Sequence, residues 1–164
     1  MSSIEYINSV VLTASAASVT FDNIPDYYED LKLIICPKVS ANTTFLIRLN
    51  SISTGSLYSD TFLQGNGSSV ASTRLSSQNE ARASYVSTAR STNDGGIIEI
   101  DFLSYSNTSI FKTFLSNSGI ASEGVDSIVC LFRSLDSISK IDIIPSVGGS
   151  ILSSGSTFTL WGVR

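Results

Sequence analysis

Short runs of β-branched and aromatic residues, each closed by a cluster of Gly, Ser, Asn, Asp or Pro, recur from one end of the chain to the other. The pattern predicts strands over Ile4–Leu12, Ser18–Phe21, Leu31–Val39, Phe45–Asn50, Tyr58–Gln64, Ala81–Thr88, Ile97–Leu103, Ile110–Ser116, Ser127–Arg133, Lys140–Ile144 and Thr157–Val163. Several alternate with the period of a pleated strand. Ile98, Ile100 and Phe102 fall on one face and Glu99 and Asp101 on the other. Phe45, Ile47 and Leu49 alternate with Leu46 and Arg48, and Ile128, Cys130 and Phe132 with Val129, Leu131 and Arg133. Runs that are apolar on both faces suit a central strand covered on both sides, or one whose outer face meets a partner. In Thr157–Val163, Phe158 and Leu160 share a face and Trp161 opposes them.

No helix of ten or more residues is predicted. A single helical turn is expected at Asp26–Asp30, after Pro25, where acidic residues suit a helix N-terminus. Many short strands with regular turn signals predict an all-β fold: a single-domain antiparallel β-sandwich over residues 1–164, of jelly-roll type, with a small closed barrel as the alternative. No internal repeat suggests a solenoid or propeller. Loops are expected at Gly65–Gln78, Ser91–Gly96, Asn117–Val125 and Ser146–Gly155.

Composition narrows the partners. Of 164 residues, 42% are hydrophobic and 15% charged, against about 25% charged in an ordinary soluble domain. The polar surface therefore falls to Ser, Thr and Asn, which desolvate at low cost once paired and suit packing into an assembly. The ten basic residues are scattered and the net charge is −4, so no positive footprint for phosphate forms and nucleic acid is not an expected partner. The apolar runs fall well short of the ~20 residues a spanning helix needs, so no membrane insertion is expected. Met1-Ser2-Ser3-Ile4-Glu5 carries neither basic nor apolar signal regions, and no secretory signal is expected. Asn-x-Ser/Thr matches at Asn42, Asn66 and Asn107 carry little weight without secretion.

Candidate chemistry is sparse. The sequence has no histidine, which removes the commonest general base and the Ser-His-Asp and Cys-His arrangements. Cys36 and Cys130 each sit in an apolar run and read as two buried free thiols, with a disulfide as the alternative; they are too few for a zinc site. Gly65-Asn66-Gly67-Ser68 and Gly148-Gly149-Ser150 lack the Gly-Lys-Ser/Thr of a phosphate loop and read as turns. Asp22, Asp26, Glu29 and Asp30 gather near one turn; a solvated acidic turn is expected, with calcium as the alternative and the paired carboxylates of a glycosidase as a remote one. Tyr6, Tyr27, Tyr28, Tyr58, Tyr85, Tyr105 and Trp161 are expected mostly in the core, although Tyr27 and Tyr28 would point to opposite sides if extended. No catalytic, cofactor-binding or metal-ligating residue is assigned, and no enzyme activity is expected.

Three stretches carry a resemblance. The first is Ser18-Val19-Thr20-Phe21-Asp22-Asn23-Ile24-Pro25-Asp26-Tyr27-Tyr28-Glu29-Asp30-Leu31-Lys32-Leu33, a strand, an Ile-Pro turn and a strand opening on Asp-Leu-x-Leu. The second is Ile47-Arg48-Leu49-Asn50, followed by Leu57-Tyr58-Ser59 and Gly65-Asn66-Gly67-Ser68. The third is the closing strand Ser156-Thr157-Phe158-Thr159-Leu160-Trp161-Gly162-Val163, where Trp161 stands at a position more usually Tyr. In order and spacing the chain resembles small structural (virion) proteins of tailed, often marine, bacteriophages. The resemblance implies a virion location and no catalytic residues. It leaves open whether the part belongs to the head, tail or fibre; small size, low charge and the lack of a fibre-like repeat point to a capsid decoration (cement) protein, a homo-oligomer that bridges subunits of the phage major capsid protein or other virion proteins. The alternative is a tail or fibre protein that binds a host surface saccharide, and a weaker third reading is a hydrolase acting on host polysaccharide.

Overall fold

A computed structural model describes residues 3–85 and 94–164. Its strands are β1 (Ile4–Val11), β2 (Val19–Phe21), β3 (Asp30–Cys36), β4 (Phe45–Leu49), β5 (Tyr58–Gly65) and β6 (Val70–Gln78). They continue as β7 (Ala81–Arg82), β8 (Gly96–Leu103), β9 (Lys112–Ile120), β10 (Gly124–Phe132), β11 (Ile141–Pro145) and β12 (Thr157–Val163). An eight-stranded sheet runs in the order β1-β12-β3-β8-β9-β10-β5-β6, and a four-stranded sheet in the order β2-β11-β4-β7. Every pairing is antiparallel. The chain crosses repeatedly from one sheet to the other, so most neighbours in a sheet are distant in sequence. The fold is the expected antiparallel sandwich with jelly-roll-like crossings.

Alternation explains the layers. Inward residues of the large sheet, such as Leu31, Leu33, Ile98, Ile100, Phe102, Phe114 and Phe158, meet Phe45, Ile47, Ile141 and Ile143 of the small sheet in one core. The three faces read from periodicity hold as predicted: Ile98, Ile100 and Phe102, then Phe45, Ile47 and Leu49, then Ile128, Cys130 and Phe132 are all fully buried.

Several expectations are corrected. The loop placed at Gly65–Gln78 is a hairpin: Asn66 Oδ1 accepts the Ser68 and Ser69 N–H groups at 3.1 and 2.8 Å, Gly67 takes φ +84°, and the chain returns as β6. As an edge strand exposed along nearly all its length, β6 has no apolar face to alternate. The loop placed at Asn117–Val125 contains the ends of β9 and β10 and a turn between them. Inward-facing Ser116, Ser118 and Asp126 had erased the apolar signal there. The strand placed at Ile110–Ser116 starts instead at Lys112, and Ile110 and Phe111 are exposed. No helical turn forms at Asp26–Asp30; that segment bends and enters β3. Residues 86–88 of the predicted strand Ala81–Thr88 and residues 91–93 of the predicted loop Ser91–Gly96 lie outside the described residues.

Two glycines set close approaches. Gly162 in β12 lies under the buried Tyr28 ring, where a Cβ would overlap the ring carbons. At Gly124 (φ +152°) a Cβ would overlap the Gly65 carbonyl oxygen of the neighbouring strand. Gly162→Ala should therefore cost about 1–3 kcal/mol of stability, the usual penalty for overpacking. Denaturant titration checks this: in a Tyr28→Ala background, where the ring is gone, the same substitution should cost much less.

Candidate functional site

Each pleated strand of the large sheet gives its alternate residues to the outer face, opposite the core. The register lines these up across strands. One row runs Tyr6, Trp161, Lys32, Asp101, Leu115, Val129, Thr61 and Arg74 through successive cross-strand pairs. The next runs Ser9, Thr159, Ile34, Glu99, Asn117, Ser127 and Leu63. A third carries Ile97, Gly119, Val125, Gly65 and Val70. Outer-face chemistry thus changes along the sheet.

Toward β6 the face is an apolar belt. Leu63, Ile97, Val125 and Val129 are 54%, 50%, 63% and 48% exposed, although cross-strand neighbours surround them. A shallow groove of about 860 Å³ crosses this region, floored by Leu63, Ile97, Val125 and Val70 and edged by Glu99 and Asn117. Toward β1 the face is aromatic and ionic. The Tyr6 and Trp161 rings meet edge to face, with centroids 5.7 Å apart and planes at 80°. Tyr6 Oη and Ser9 Oγ share a 3.0 Å hydrogen bond. Lys32 pairs with Glu99 and, at 3.0 Å, with Asp101. Partial burial works to lower the Lys32 pKa, but the hydrogen bonds and charges of the two carboxylates outweigh it and raise the value.

The inner face holds a second polar system, where the large sheet extends past the small one. Asp60 and Asp126 are almost wholly buried. Asp60 Oδ2 accepts the Arg82 N–H at 3.2 Å, the Cys130 thiol donates to Arg82 O at 3.4 Å, and Ser116 Oγ donates to Ala83 O at 2.6 Å. Asp126 Oδ2 accepts from Tyr85 N–H at 2.8 Å and from Ser118 Oγ at 3.1 Å. These side chains fasten residues 82–85 to the large sheet. Burial raises the Asp60 pKa and outweighs its hydrogen bonds, while burial and the nearby Asp60 push the Cys130 thiol well up. Such a thiol is a poor nucleophile.

The sequence-derived candidates disperse. Asp22, Asp26 and Glu29 are exposed, and Asp30 Oδ1 accepts the Ser104 N–H at 2.7 Å. Among the described residues no three or more His, Cys, Asp or Glu side chains are grouped to hold a metal ion. Both cysteines are free; Cys130 is buried as expected, but Cys36, at the last position of β3, is exposed. Tyr28, Tyr58 and Tyr105 are buried, with Tyr58 pushed up to about 12 mainly by burial. The core assignment fails for Tyr6, Tyr27 and Tyr85, which are exposed, and for Trp161, which faces outward. Tyr27 and Tyr28 do split between surface and core. Sequence reading also missed buried Lys112, whose Nζ donates to the carbonyls of Asn107, Ile110 (3.0 Å) and Leu135 (3.3 Å). Its only sequence signal was a lysine at an inward position of an alternating run.

No family model matches the sequence, and a comparison with curated proteins gives no match. Among solved structures the chain is similar to the galectin LEC-6 of Caenorhabditis elegans, with a TM-score of 0.36 and 13% identity over 96% of each chain.

The raised Asp60 pKa has a stability consequence. The folded state holds the proton to higher pH than the unfolded chain, whose value is near 3.8, so stability falls as pH rises through this window and the loss is complete above it. Asn at this position cannot ionise and keeps an oxygen for the Arg82 N–H. Asp60→Asn should melt above the native chain at neutral pH, and the gap should close as pH falls toward 3.8. A pH-independent gap in melting temperature would show that Asp60 ionisation is not the cause.

Proposed function

We propose that the chain is a non-catalytic structural module of a tailed-phage virion. It decorates the head as a cement protein, docking its apolar belt onto subunits of the major capsid protein as part of a homo-oligomer. The observation that carries this reading is the belt itself. Leu63, Val70, Ile97 and Val125 line one shallow groove, Val129 lies outward on the same sheet face, and about half or more of each of these residues is in water; grouped exposed apolar residues of this kind mark interaction surfaces. The outward positions of β9 and β10 carry no charge, only Thr, Leu, Asn, Gly, Val and Ser, which suits the charge-depleted centre of a protein interface.

The mechanism is passive. Burying the belt against capsid subunits stabilises the assembled shell by mass action, since the module binds the assembled form and not the separated subunits. The sparse charge of the sequence supports this reading, because few ionic groups need desolvating on docking.

Particles lacking the chain should release their DNA at a lower temperature than complete particles, and adding back the purified chain should restore the original temperature. Val129→Lys combined with Leu63→Lys should weaken binding to such particles by at least about tenfold, roughly 1.4 kcal/mol, with the melting temperature of the free chain nearly unchanged. Co-sedimentation reads the loss. Equal binding by the double variant, or DNA release at the same temperature with and without the chain, would sink the reading.

A further inference from the structure

We propose that the β1–β12–β3–β8 half of the outer face is a binding site for a neutral saccharide, with the Tyr6–Trp161 pair as its stacking platform and Lys32, Glu99 and Asp101 as its hydroxyl partners. Apart from Glu99, which also edges the groove of the belt, the proposal rests on different residues from the belt, and its test is separate.

Three observations converge. First, the register places Tyr6, Trp161, Lys32 and Asp101 side by side on four adjacent strands, so the groups share one surface. Trp161 points away from the core that Phe158 and Leu160 enter, and Tyr6 is 56% exposed. Tyr6 is exposed and Trp161 partly buried on this outer face, and neither ring belongs to the core. An edge-to-face contact fixes both rings without stacking them on each other, so ring faces remain for a flat apolar surface such as the C–H face of a pyranose. Second, the neighbouring polar groups already hold their orientation. Lys32 is clamped between Glu99 and Asp101, and the Tyr6 hydroxyl is tied to Ser9. Side chains fixed before the ligand arrives lose little entropy on binding it. Third, the charges choose the ligand class. One lysine and two carboxylates leave the cluster net negative, which repels phosphate, sulfate and uronate and accepts hydroxyl donors. A nucleic acid, which could also stack on these rings, is disfavoured on the same ground.

Trp161 is the only tryptophan in the chain, so its emission reports this site and no other. Titrating the intact protein with short glucan, mannan and galactan oligosaccharides should give a saturable change in tryptophan fluorescence with at least one of them. Tyr6→Ser and Asp101→Asn, both changes at solvent-facing positions, should each weaken that binding about tenfold by calorimetry, while Val129→Lys in the belt leaves it unchanged. Trp161→Phe keeps a ring for the fold and should retain weak binding. The proposal is overturned by the absence of a saturable change with every neutral oligosaccharide. It is equally overturned by tighter binding of sulfated or uronate oligosaccharides, or by full affinity in both Tyr6→Ser and Asp101→Asn.

Discussion

An eight-stranded sheet cannot be covered by a four-stranded one, and the arrangement of the molecule depends on how the uncovered part of its inner face is satisfied. Phe45, Ile47, Leu49, Ile141 and Ile143 close the apolar part of the core. Beyond them the inward positions of β5, β9 and β10 change from Phe and Ile to Asp60, Ser116, Ser118 and Asp126. Buried polar groups need partners. Asp60, Ser116 and Asp126 find them in the backbone of residues 82–85, at and just after β7, and Ser118 finds one in Asp126. Each side supplies what the other lacks, donors from the N–H groups of Arg82 and Tyr85 and acceptors from the carbonyls of Arg82 and Ala83. Ala83 N–H in turn reaches Phe45 O, and Ser84 Oγ accepts the Phe45 N–H, so the same few residues fix the edge of the small sheet. The spacing of the layers follows from this lock, because sliding one sheet would strand several buried polar groups together.

The polar lock also explains which parts of the fold were legible in the sequence. Alternation of apolar residues marks strands with one face in an apolar core, and β4, β8 and β12 were found within one residue of their true bounds on that basis, while β3 was read three residues too far, to Val39. It fails where the buried face is polar, as at Ser116, Ser118 and Asp126, and that is where a loop was read instead of a hairpin. It fails again where neither face is buried, as along β6; the Asn66-Gly67 turn was the remaining clue. Cys36 was assigned to the core from its apolar neighbours, but the pleat turns it outward after Ile35. Lys112 shows the converse. A lysine reads as surface, yet its ammonium lies among three backbone carbonyls that accept its hydrogen bonds.

The outer face was legible only in part. The alternation Val129, Leu131 against Ile128, Cys130 predicted a strand apolar on both faces, hence either doubly covered or partnered. The structure leaves Val129 half exposed, so the strand is not covered on both sides. What sequence could not supply was adjacency. Tyr6, Lys32, Asp101 and Trp161 are scattered over most of the chain, and cross-strand registers set by the sandwich crossings bring them into one row. Long-range antiparallel pairing, rather than any local motif, creates the surface. The same fold can carry many unrelated surfaces, so these side chains and their charges, not the sandwich itself, give the outer face its character.

The pleat lets one strand serve both systems without conflict. In β10, Asp126 and Cys130 face inward to the lock while Val125 and Val129 face outward to the belt. In β12, Phe158 and Leu160 fill the core while Trp161 joins the aromatic row, and Gly162 makes room for the Tyr28 ring. Inward residues are constrained by packing and buried hydrogen bonds, so changes there act on stability. Outward residues weigh less on stability, since their replacement leaves neither cavity nor orphaned polar group inside. A shift of register by one residue would exchange the two sets, bringing Asp126 and Asp60 to the surface and leaving the outward apolar side chains to face the lock. Register is therefore held from within by buried polar pairs that tolerate no slip. That rigidity is what keeps an outer face of ordinary Leu, Val, Trp and Tyr residues in a fixed pattern that another molecule can recognise.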